Sequence, residues 1–349
     1  MQLTFRYIGS KARVVDAIMQ HVGPPTGSRF IDAFCGTGAV AQAAARAGWP
    51  VHVNDHLRSA VITALARVTS SEQAPFAHLG GYAAAVAALN AVEGHEGFIW
   101  REYSPASLTR AGVARLYFTE ENARRIDAMR ALVRDWSGDG RLNEREEALL
   151  LADLMGATNR VANTAGTYGC FLSKWQRQSL EAISVEARVL PRRLPPSSME
   201  VGDARDVDCR PEDLVYLDPP YTKRQYAAYY HVLETIALGD EPNVEGVCGI
   251  RPWHHLASDF CYRVRAVRAF CDLIAALPAR RVLLSYSTEG HVPLDRLVET
   301  LGGIGRVCLH DLGEIGRYRP NQAASEAAIQ VGEVLISVER PSVGAREAA

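Results

Sequence analysis

Residues 214–221 bring together groups that could act on an amine. A carboxylate (Asp218), two prolines and an aromatic ring (Tyr221) directly follow a short apolar run typical of a buried strand. Asp-Pro-Pro also fits an ordinary rigid turn, because proline fixes φ and restrains the residue before it. Ligand sites of parallel sheets lie at the carboxyl ends of strands, however. A stiff loop there would offer the carboxylate and backbone carbonyls as acceptors for an amine, and the ring as a stacking face for a base.

A second segment, residues 30–40, indicates a nucleoside cofactor. It runs from an apolar strand through Gly36 and Gly38 into an alanine-rich helix. Glycine lets a backbone approach a ligand closely, although G-x-G by itself is equally typical of a plain strand-to-helix turn. Asp55 ends the next apolar run after Asp32, where a carboxylate can accept hydrogen bonds from both ribose hydroxyls. The glycine turn and the acid together favour the ligand interpretation.

Seven short apolar, β-branched runs predict the strands that position these groups. They are residues 29–34, 51–54, 199–202, 214–217, 281–286, 306–309 and 333–338. Helical patterns such as 39–47 and 259–276 lie between several of them. Alternating strands and helices predict an α/β, Rossmann-like fold with a seven-stranded, mostly parallel sheet covered on both faces.

A large helical insertion interrupts this alternation between residues 55 and 199. Its clearest helices are predicted at 82–92, 119–136 and 143–160, the last with Asn143 as cap and Glu146 at the reciprocal position. Prolines 191, 195 and 196 close the insertion. We therefore predict a catalytic domain from residues 1–58 and 199–340, an inserted domain from 59–198, and a flexible tail from 341–349.

Charge and composition limit the class of protein. The formal net charge is −2, so this is not a uniformly basic nucleic-acid binder, and any basic surface must be local. The cysteines form no C-x-x-C pair, and His254 and His255 have no partners at metal-ligand spacing, so no metal is expected. No apolar run approaches the roughly 18 residues of a membrane span. We expect a cytoplasmic protein without a membrane partner.

Five stretches, in this order, resemble the Dam-related (D12 class) adenine-N6 DNA methyltransferases, closest to the modification enzymes of restriction systems. They are Arg-Tyr-Ile-Gly-Ser-Lys at 6–11, Asp-Ala-Phe-Cys-Gly-Thr-Gly at 32–38, residues 159–169, Val-Gly-Asp-Ala at 201–204, and Asp-Pro-Pro-Tyr at 218–221. The resemblance covers nearly the whole chain and is least specific at 59–146. It implies an S-adenosylmethionine-dependent methyltransferase fold whose insertion recognises the DNA target.

The resemblance also implies a cofactor site for S-adenosylmethionine. Asp55 would hold the ribose and Asp203 the adenine, while Lys11 would neutralise the methionine carboxylate, unless it is simply an exposed, solvated lysine. The full set of implied cofactor residues is Tyr7, Lys11, Asp32, Phe34, Gly36, Gly38, Asp55 and Asp203.

The implied catalytic residues are Asp218, Pro219, Pro220 and Tyr221. The N6 lone pair of adenine is delocalised, so hydrogen bonds to Asp218 and the Pro219 carbonyl would localise it and position the amine. With an ordinary carboxyl pKa, Asp218 is too weak a base to deprotonate the amine first, so the proton would leave after methyl transfer. A duplex hides this nitrogen, so the base must flip out and stack on Tyr221.

Contacts to double-stranded DNA are predicted from basic residues in and near the insertion. Residues 156–199 are locally basic, and Asn159, Asn163, Tyr168 and Gln176 could add base-edge contacts, although residues 165–171 could instead pack against the catalytic loop. Tyr226, Tyr229 and Tyr230 fit either a DNA-flanking or a packed helix face. The candidate DNA-binding residues are Arg160, Lys174, Arg177, Lys223, Arg224, Arg317 and Arg319.

Two other functions stay open at the level of sequence. Related loops methylate amines in RNA and amides in proteins, and a nucleic-acid-binding relative could keep the fold without catalysis. The amino-terminal motif and the helical insertion favour DNA, and every catalytic and cofactor position holds a competent residue. We expect a monomer, with a cognate restriction endonuclease as a candidate partner.

Overall fold

The computed structural model describes Gly9, residues 11–315 and residues 331–341, which form two compact units. The sheet unit contains Gly9–Val68, Leu194–Gln225 and the described residues from Ala257 onward. The helical unit contains Thr69–Arg193 and Tyr226–Leu256. Within the described residues, no helix has both the length and the apolar character needed to cross a membrane.

In the described residues, the sheet unit contains a seven-stranded sheet, which confirms the predicted number. The strands are β1 (Phe30–Asp32), β2 (Val51–Asp55), β3 (Ser197–Val201), β4 (Leu214–Leu217), β5 (Arg281–Ser287), β6 (Arg306–Ile315) and β7 (Val331–Glu339). Their order is β3-β2-β1-β4-β5-β7-β6. The first five strands in this order pair in parallel, whereas β7 runs antiparallel to both of its neighbours.

In the described part of the sheet unit, five α-helices precede or connect the strands. They are α1 (Val15–Val22), α2 (Ala39–Arg46), α3 (Arg58–Arg67), α11 (Ala266–Ala276) and α12 (Leu294–Gly302). Strand β4 is buried along its whole length, which explains its uninterrupted apolar sequence. One core cluster joins α11, through Phe270 and Leu273, to Val282 and Leu284 of β5 and Ile336 of β7.

The helical unit contains the remaining helices of the described chain. They are α4 (Tyr82–Ala91), α5 (Phe98–Tyr103), α6 (Leu108–Ala111), α7 (Glu120–Gly138), α8 (Glu144–Val161), α9 (Tyr226–Tyr229) and α10 (His231–Leu238). The three predicted helices of the insertion are present with nearly the predicted bounds. At the start of α8, Asn143 accepts hydrogen bonds from the backbone of Arg145 and Glu146, and Glu146 accepts one from the Asn143 backbone, so the predicted capping box forms.

The two compact units do not coincide with the predicted sequence boundaries. Residues 59–67, predicted as the start of the insertion, form most of α3 and belong to the sheet unit. Residues 226–256, assigned from sequence to the catalytic part, belong to the helical unit. There the Tyr168 backbone N–H donates to the Tyr229 carbonyl at 2.8 Å, and Arg115 donates to the carbonyls of Gly246 and Val247. These hydrogen bonds join chain segments that sequence proximity does not connect.

Candidate active site

The carboxyl ends of β1 and β4 form the natural ligand edge of the sheet unit. The strand order turns at this pair: β2 and β3 lie on one side of β1, and β5 lies on the other side of β4. Open α/β sheets bind ligands in the crevice at such a switch point. Asp32 ends β1 and Asp218 directly follows β4, so the topology brings the two predicted motifs together.

The loop after β4 is held on several sides. The Tyr221 carbonyl accepts a hydrogen bond from the His291 backbone N–H at 3.0 Å. The Tyr221 ring packs edge-on against Tyr286, with centroids 5.4 Å apart. Asp218 is 17% exposed in its side chain, so its carboxylate is largely withdrawn from water without being sealed off. The loop after β4 is therefore held in place by contacts with neighbouring residues.

Four polar side chains form one cluster beside this loop. The Lys11 ammonium lies 3.2 Å from Asp218 Oδ1 and 3.0 Å from Glu333 Oε2, and it donates to the Tyr221 hydroxyl at 3.1 Å. That hydroxyl donates to Glu333 Oε1 at 3.2 Å. Lys11 is only 4% exposed, so the interpretation of a solvated lysine is wrong. In the structure its ammonium pairs with Asp218 and Tyr221 of the loop after β4, residues 218–221, which we call the acceptor loop.

The electrostatics of this cluster change the protonation chemistry of Asp218. The pKa of its carboxyl is raised to about 6, because burial and, to a lesser extent, the charge of Glu333 raise it more than Lys11 lowers it. The expectation of an ordinary carboxyl pKa is therefore wrong. For Lys11, burial lowers the pKa, but the negative charges of Asp218 and Glu333, together with Tyr221, outweigh burial and raise the pKa well above its ordinary value. Lys11 is thus a permanent cation beside a carboxylate that titrates below neutrality.

The glycine turn after β1 serves packing as well as ligand approach. Gly38 has φ +74°, and a Cβ there would lie 2.6 Å from the Ala64 Cα of α3. Gly38 is therefore required for the close approach of α2 and α3, a role that the sequence analysis did not give it. Gly36 also has a positive φ, and its N–H donates to Asp55 Oδ2 at 3.1 Å.

Asp32 and Phe34 lie at the same edge. Asp32 is 2% exposed, and its Oδ1 has no hydrogen-bond partner among the described residues. Burial raises the pKa of Asp32 well above its usual range, the charge of Asp218 adds to this, and backbone hydrogen bonds from Ala41 and Phe34 oppose it. The Phe34 ring packs edge-on against Phe260 at 5.6 Å. Because buried polar atoms are usually hydrogen-bonded, Asp32 Oδ1 is a candidate for contact with a ligand at this edge.

Asp55 and Asp203 differ in how their carboxylates are already used. Asp55 accepts from the backbone N–H groups of Gly36 and Leu57, and so ties β2 to the glycine turn. Asp203 accepts from the side chain and the backbone of Arg205, and hydrogen bonding to Arg205 lowers its pKa. Asp203 therefore stays ionised and is held beside Arg205. Its predicted role toward a cofactor adenine stays a prediction.

Two residues of this edge were missed from sequence, Glu333 and Asn54. Because β7 is antiparallel, its beginning lies at the edge where the parallel strands end, and Glu333 pairs in register with Ser287 at the end of β5. An acidic residue opening an otherwise apolar strand was the available signal. Asn54 is 1% exposed and donates to the carbonyls of Ala33 and Gly202, while its Oδ1 has no partner among the described residues.

The predicted DNA contacts of the helical unit separate into exposed and already paired residues. Lys174 and Arg177 are exposed and have no ion pair in the described part of the chain. Arg160 is exposed but donates to the Ser184 carbonyl at 2.7 Å and lies 3.9 Å from Glu186. Arg188 is paired with the buried Asp153, so it cannot count toward a free basic patch. Arg192 and Arg193 are exposed and pair with Glu72.

The suggested base-edge contacts of residues 159–168 are mostly wrong, because these side chains are buried. Asn163 is fully buried, and its amide bonds to the carbonyls of Leu116 and Leu172. Tyr168 is 1% exposed and donates to Asn159 Oδ1 at 3.3 Å, and Asn159 is itself buried. The alternative that this segment packs within the protein is therefore correct, although the partner found is not the catalytic loop. The contact partner is α9 and α10 of the helical unit, through Tyr229 and His231.

The remaining candidates lie near the active loop or outside the described residues. Lys223 and Arg224 are exposed directly after Tyr221. Tyr230 is buried, and the Tyr226 ring lies tilted beside it with ring centroids 5.9 Å apart. This favours the interpretation that these tyrosines pack within the protein. Tyr7, Arg317, Arg319 and most of the predicted tail fall outside the described residues. Among the described residues, no group of three or more His, Cys, Asp or Glu side chains could hold a metal ion.

The sheet order and the polar edge at its switch point define a Rossmann-like α/β protein with a ligand site between β1 and β4. A family model described as D12 class N6 adenine-specific DNA methyltransferase matches residues 7–292. Because the match covers most of the chain, this protein belongs to that family, and its seven-stranded sheet is the predicted S-adenosylmethionine-dependent methyltransferase fold.

Individual relatives are consistent with this family. The chain is 34% identical over 294 residues to the type II methyltransferase M.FokI of Planomicrobium okeanokoites, covering 82% of this chain and 45% of that protein. It is 30% identical over 345 residues to the modification methylase StsI of Streptococcus sanguinis, covering 96% and 52%. The chain thus spans about half the length of these two relatives. It is 27% identical over 309 residues to the type II methyltransferase M.CviAII of Paramecium bursaria Chlorella virus 1, covering 86% and 88%.

Among solved structures, magnesium protoporphyrin IX methyltransferase from Synechocystis PCC 6803 with bound SAM aligns over 93% of this chain and 78% of its own. The TM-score is 0.31 at 9% sequence identity, which is too low to support any inference.

Proposed function

We propose that this chain transfers a methyl group from S-adenosylmethionine to N6 of a flipped-out adenine in double-stranded DNA. The observation that carries the proposal is the position of Asp218, at the end of β4 beside the switch point, where Pro219, Pro220 and Tyr221 follow it. Family membership supports the same reaction. A DNA substrate would place the enzyme in the bacterial cytosol or nucleoid.

The cofactor end of the site fits a nucleoside-linked amino acid. Asp32 Oδ1 and Asn54 Oδ1 are buried acceptors that would receive hydrogen bonds from donors of the ligand. We assign Asp55 to the ribose hydroxyls, Asp203 to the adenine, and Phe34, Gly36 and Gly38 to the lining, as predicted. When bound, S-adenosylmethionine supplies an electrophilic methyl group on a sulfonium centre.

The acceptor end would act on the target amine by position and polarity. Asp218 Oδ2 and the Pro219 carbonyl would accept the two N6 hydrogens, which concentrates the nitrogen lone pair toward the methyl group. Lys11 occupies the Oδ1 side and would keep the carboxylate oriented. We therefore assign Lys11 to the acceptor loop instead of the methionine carboxylate. Tyr221 would stack on the extruded base.

The raised pKa of Asp218 is consistent with methyl transfer taking place before the amine loses its proton. With a pKa of about 6, the carboxylate is ionised at neutral pH and ready to accept hydrogen bonds. It remains far too weak a base to deprotonate a neutral arylamine beforehand. After methyl transfer the nitrogen is cationic and acidic, and Asp218 would then receive the proton or pass it to water.

The DNA surface of the proposal rests on exposed basic residues. Lys174 and Arg177 of the helical unit, with Arg160 as a weaker candidate, would contact phosphates, because a cation that neutralises a phosphate releases counterions condensed on the DNA. Lys223 and Arg224 would contact the backbone next to the active loop. The predicted role of the insertion in target recognition, the monomeric state and a cognate endonuclease remain parts of the proposal.

The test is a transfer assay with purified protein, labelled S-adenosylmethionine and three acceptors, namely duplex DNA, RNA and a protein mixture. We expect label only in DNA, recovered as N6-methyladenine after digestion. Label in RNA or protein would replace the proposed substrate with that polymer. DNA binding without transfer to any acceptor would support a non-catalytic relative.

A further inference from the structure

We propose that Glu333 is a positioning residue for methyl transfer, which holds the Lys11 ammonium and the Tyr221 hydroxyl in place around Asp218. This inference rests on the proposed function and adds to it a residue on the far side of the site. No predicted motif contains Glu333.

The geometry gives Glu333 two contacts, one per carboxylate oxygen. Oε2 lies 3.0 Å from the Lys11 ammonium, and Oε1 accepts from the Tyr221 hydroxyl at 3.2 Å. The side chain is 10% exposed and sits near the start of β7, opposite Ser287 of β5. Strand β7 is hydrogen-bonded on both sides: Glu333 itself pairs with Ser287 of β5, and the residues before and after it pair with β6 across a register shift. Glu333 is therefore a fixed anchor.

The donors of Lys11 explain why this anchor is needed. An ammonium has three N–H groups, and Asp218, Tyr221 and Glu333 supply the three acceptors. Burying an ammonium with an unpaired N–H is unfavourable, so without Glu333 the ammonium would move to share both oxygens of Asp218. That movement would compete with the target amine for the carboxylate. Glu333 thus keeps one face of Asp218 free.

The same charge also influences titration of the acceptor carboxylate. The charged or titratable groups that face Asp218 are Lys11, Glu333, Asp32, Tyr216 and Tyr221. Among these, Glu333 raises the pKa of Asp218, since two carboxylates near each other disfavour ionisation of both. Removing the negative charge should therefore lower the pKa of Asp218.

The test compares Glu333→Gln with Glu339→Gln, a matched control at the exposed far end of the same strand. With saturating DNA and cofactor, we expect Glu333→Gln to reduce kcat about 10- to 100-fold. The dissociation constant of S-adenosylmethionine should change less than twofold, and the acidic limb of the kcat profile should move to lower pH. Glu333→Asp, which keeps the charge, should keep the limb in place. A lower kcat or melting temperature with an unmoved limb would mean a merely structural role and overturn the proposal.

A second measurement is independent of DNA methylation. The chain has only three lysines, Lys11, Lys174 and Lys223, so amine acylation can be followed for each by mass spectrometry. Exposed Lys174 and Lys223 are internal references. We expect Glu333→Gln to raise the relative acylation rate of Lys11 about tenfold, because the amide keeps a hydrogen-bond acceptor but loses the negative charge that raises the Lys11 pKa. An unchanged rate would overturn the proposal even if the native chain methylates DNA. A raised rate in a chain that methylates nothing would place the failure in the proposed function.

Discussion

Two buried asparagines, Asn54 in the sheet unit and Asn163 in the helical unit, use the same amide in different ways. Each donates through Nδ2 to two backbone carbonyls. Asn163 Oδ1 also accepts from the Gln176 backbone and the Ser179 hydroxyl, at 3.0 and 3.4 Å. Asn54 Oδ1 has no partner in the described chain, and neither has the nearby Asp32 Oδ1.

The difference separates a polar group whose partners lie within the fold from one for which we propose a ligand as partner. Buried acceptors are almost always satisfied in folded proteins, so an exception needs an explanation. At Asn163 the hydrogen bonds tie the end of α8 to residues 172–179 and complete the structure of that region. At the carboxyl ends of β1 and β2, the acceptors without a partner in the described chain belong to the cofactor site that we propose. Substitutions in the two regions should therefore fail in different ways.

The largest effect should come from Asp218→Ala, which would separate catalysis from folding. We expect methyl transfer to fall at least 10²- to 10³-fold, because the substitution removes a charged acceptor that acts in the transition state. Cofactor affinity should change little, because the carboxylate would contact the target amine and not the sulfonium; the melting temperature should fall, but Lys11 keeps Glu333 as a partner and the chain should stay folded. Single-turnover assays measure the transfer rate, and calorimetry measures the cofactor affinity and the melting temperature. A variant that retains more than about a tenth of the native rate would remove Asp218 from the catalytic role.

Asn163→Ala should show the opposite pattern in the helical unit. Loss of several buried hydrogen bonds should lower the free energy of unfolding by about 2–4 kcal/mol. Target-site preference should not change, because the side chain is buried and cannot reach a base. Urea unfolding gives the first quantity, and Lys174→Ala serves as an exposed control from the same region. Full stability with a relaxed target site would restore Asn163 as a DNA contact.

Asp55→Ala should sharpen the comparison at the cofactor end. We expect the affinity for S-adenosylmethionine to weaken by about 1.5–3 kcal/mol, the usual worth of hydrogen bonds to a charged group. Part of this loss would come from the glycine turn, because Asp55 also holds the Gly36 N–H. Isothermal titration calorimetry decides the matter. An unchanged dissociation constant would exclude Asp55 from the ribose site.

The smallest effects should come from the exposed basic residues. Removing the charge of Lys174 or Arg177 should weaken all DNA alike and reduce the salt slope of binding by about one each, if they contact phosphates. Arg188→Gln is the comparison, because Arg188 is paired with Asp153 and should lower stability without changing the slope. Fluorescence titrations at several salt concentrations measure these slopes. A constant slope for both exposed variants would move the DNA surface elsewhere.

The sheet was largely predictable because its signals are local. Each buried strand has a short apolar run, and the carboxyl end of a parallel strand is a known location, so Asp32 and Asp218 could be placed at one edge. Glu333 could not be placed in this way. Its strand is antiparallel, so its amino end reaches the site, and strand direction is set by long-range pairing with β5 and β6.

The helical unit was less predictable because polar composition does not distinguish a surface from an internal network. Asn159, Asn163, Tyr168 and Arg188 have the residue types of a DNA interface, yet their partners are within the fold. Those partners include Tyr229 and His231, far along the chain, and no local pattern indicates them. Lys174 and Arg177 look similar to them in sequence, and only the structure shows that these two side chains are exposed.

The most direct test of the central claim is the modified base itself, measured in DNA from a host that lacks its own adenine methylation. Expression of the native chain should produce N6-methyladenine at one defined sequence, detected by nucleoside mass spectrometry and by sequencing. Expression of Asp218→Ala at the same protein level, sampled before the native chain has methylated all of its sites, should produce at most about a hundredth as much. Methylated cytosine in place of adenine, or equal N6-methyladenine from both chains, would contradict the account.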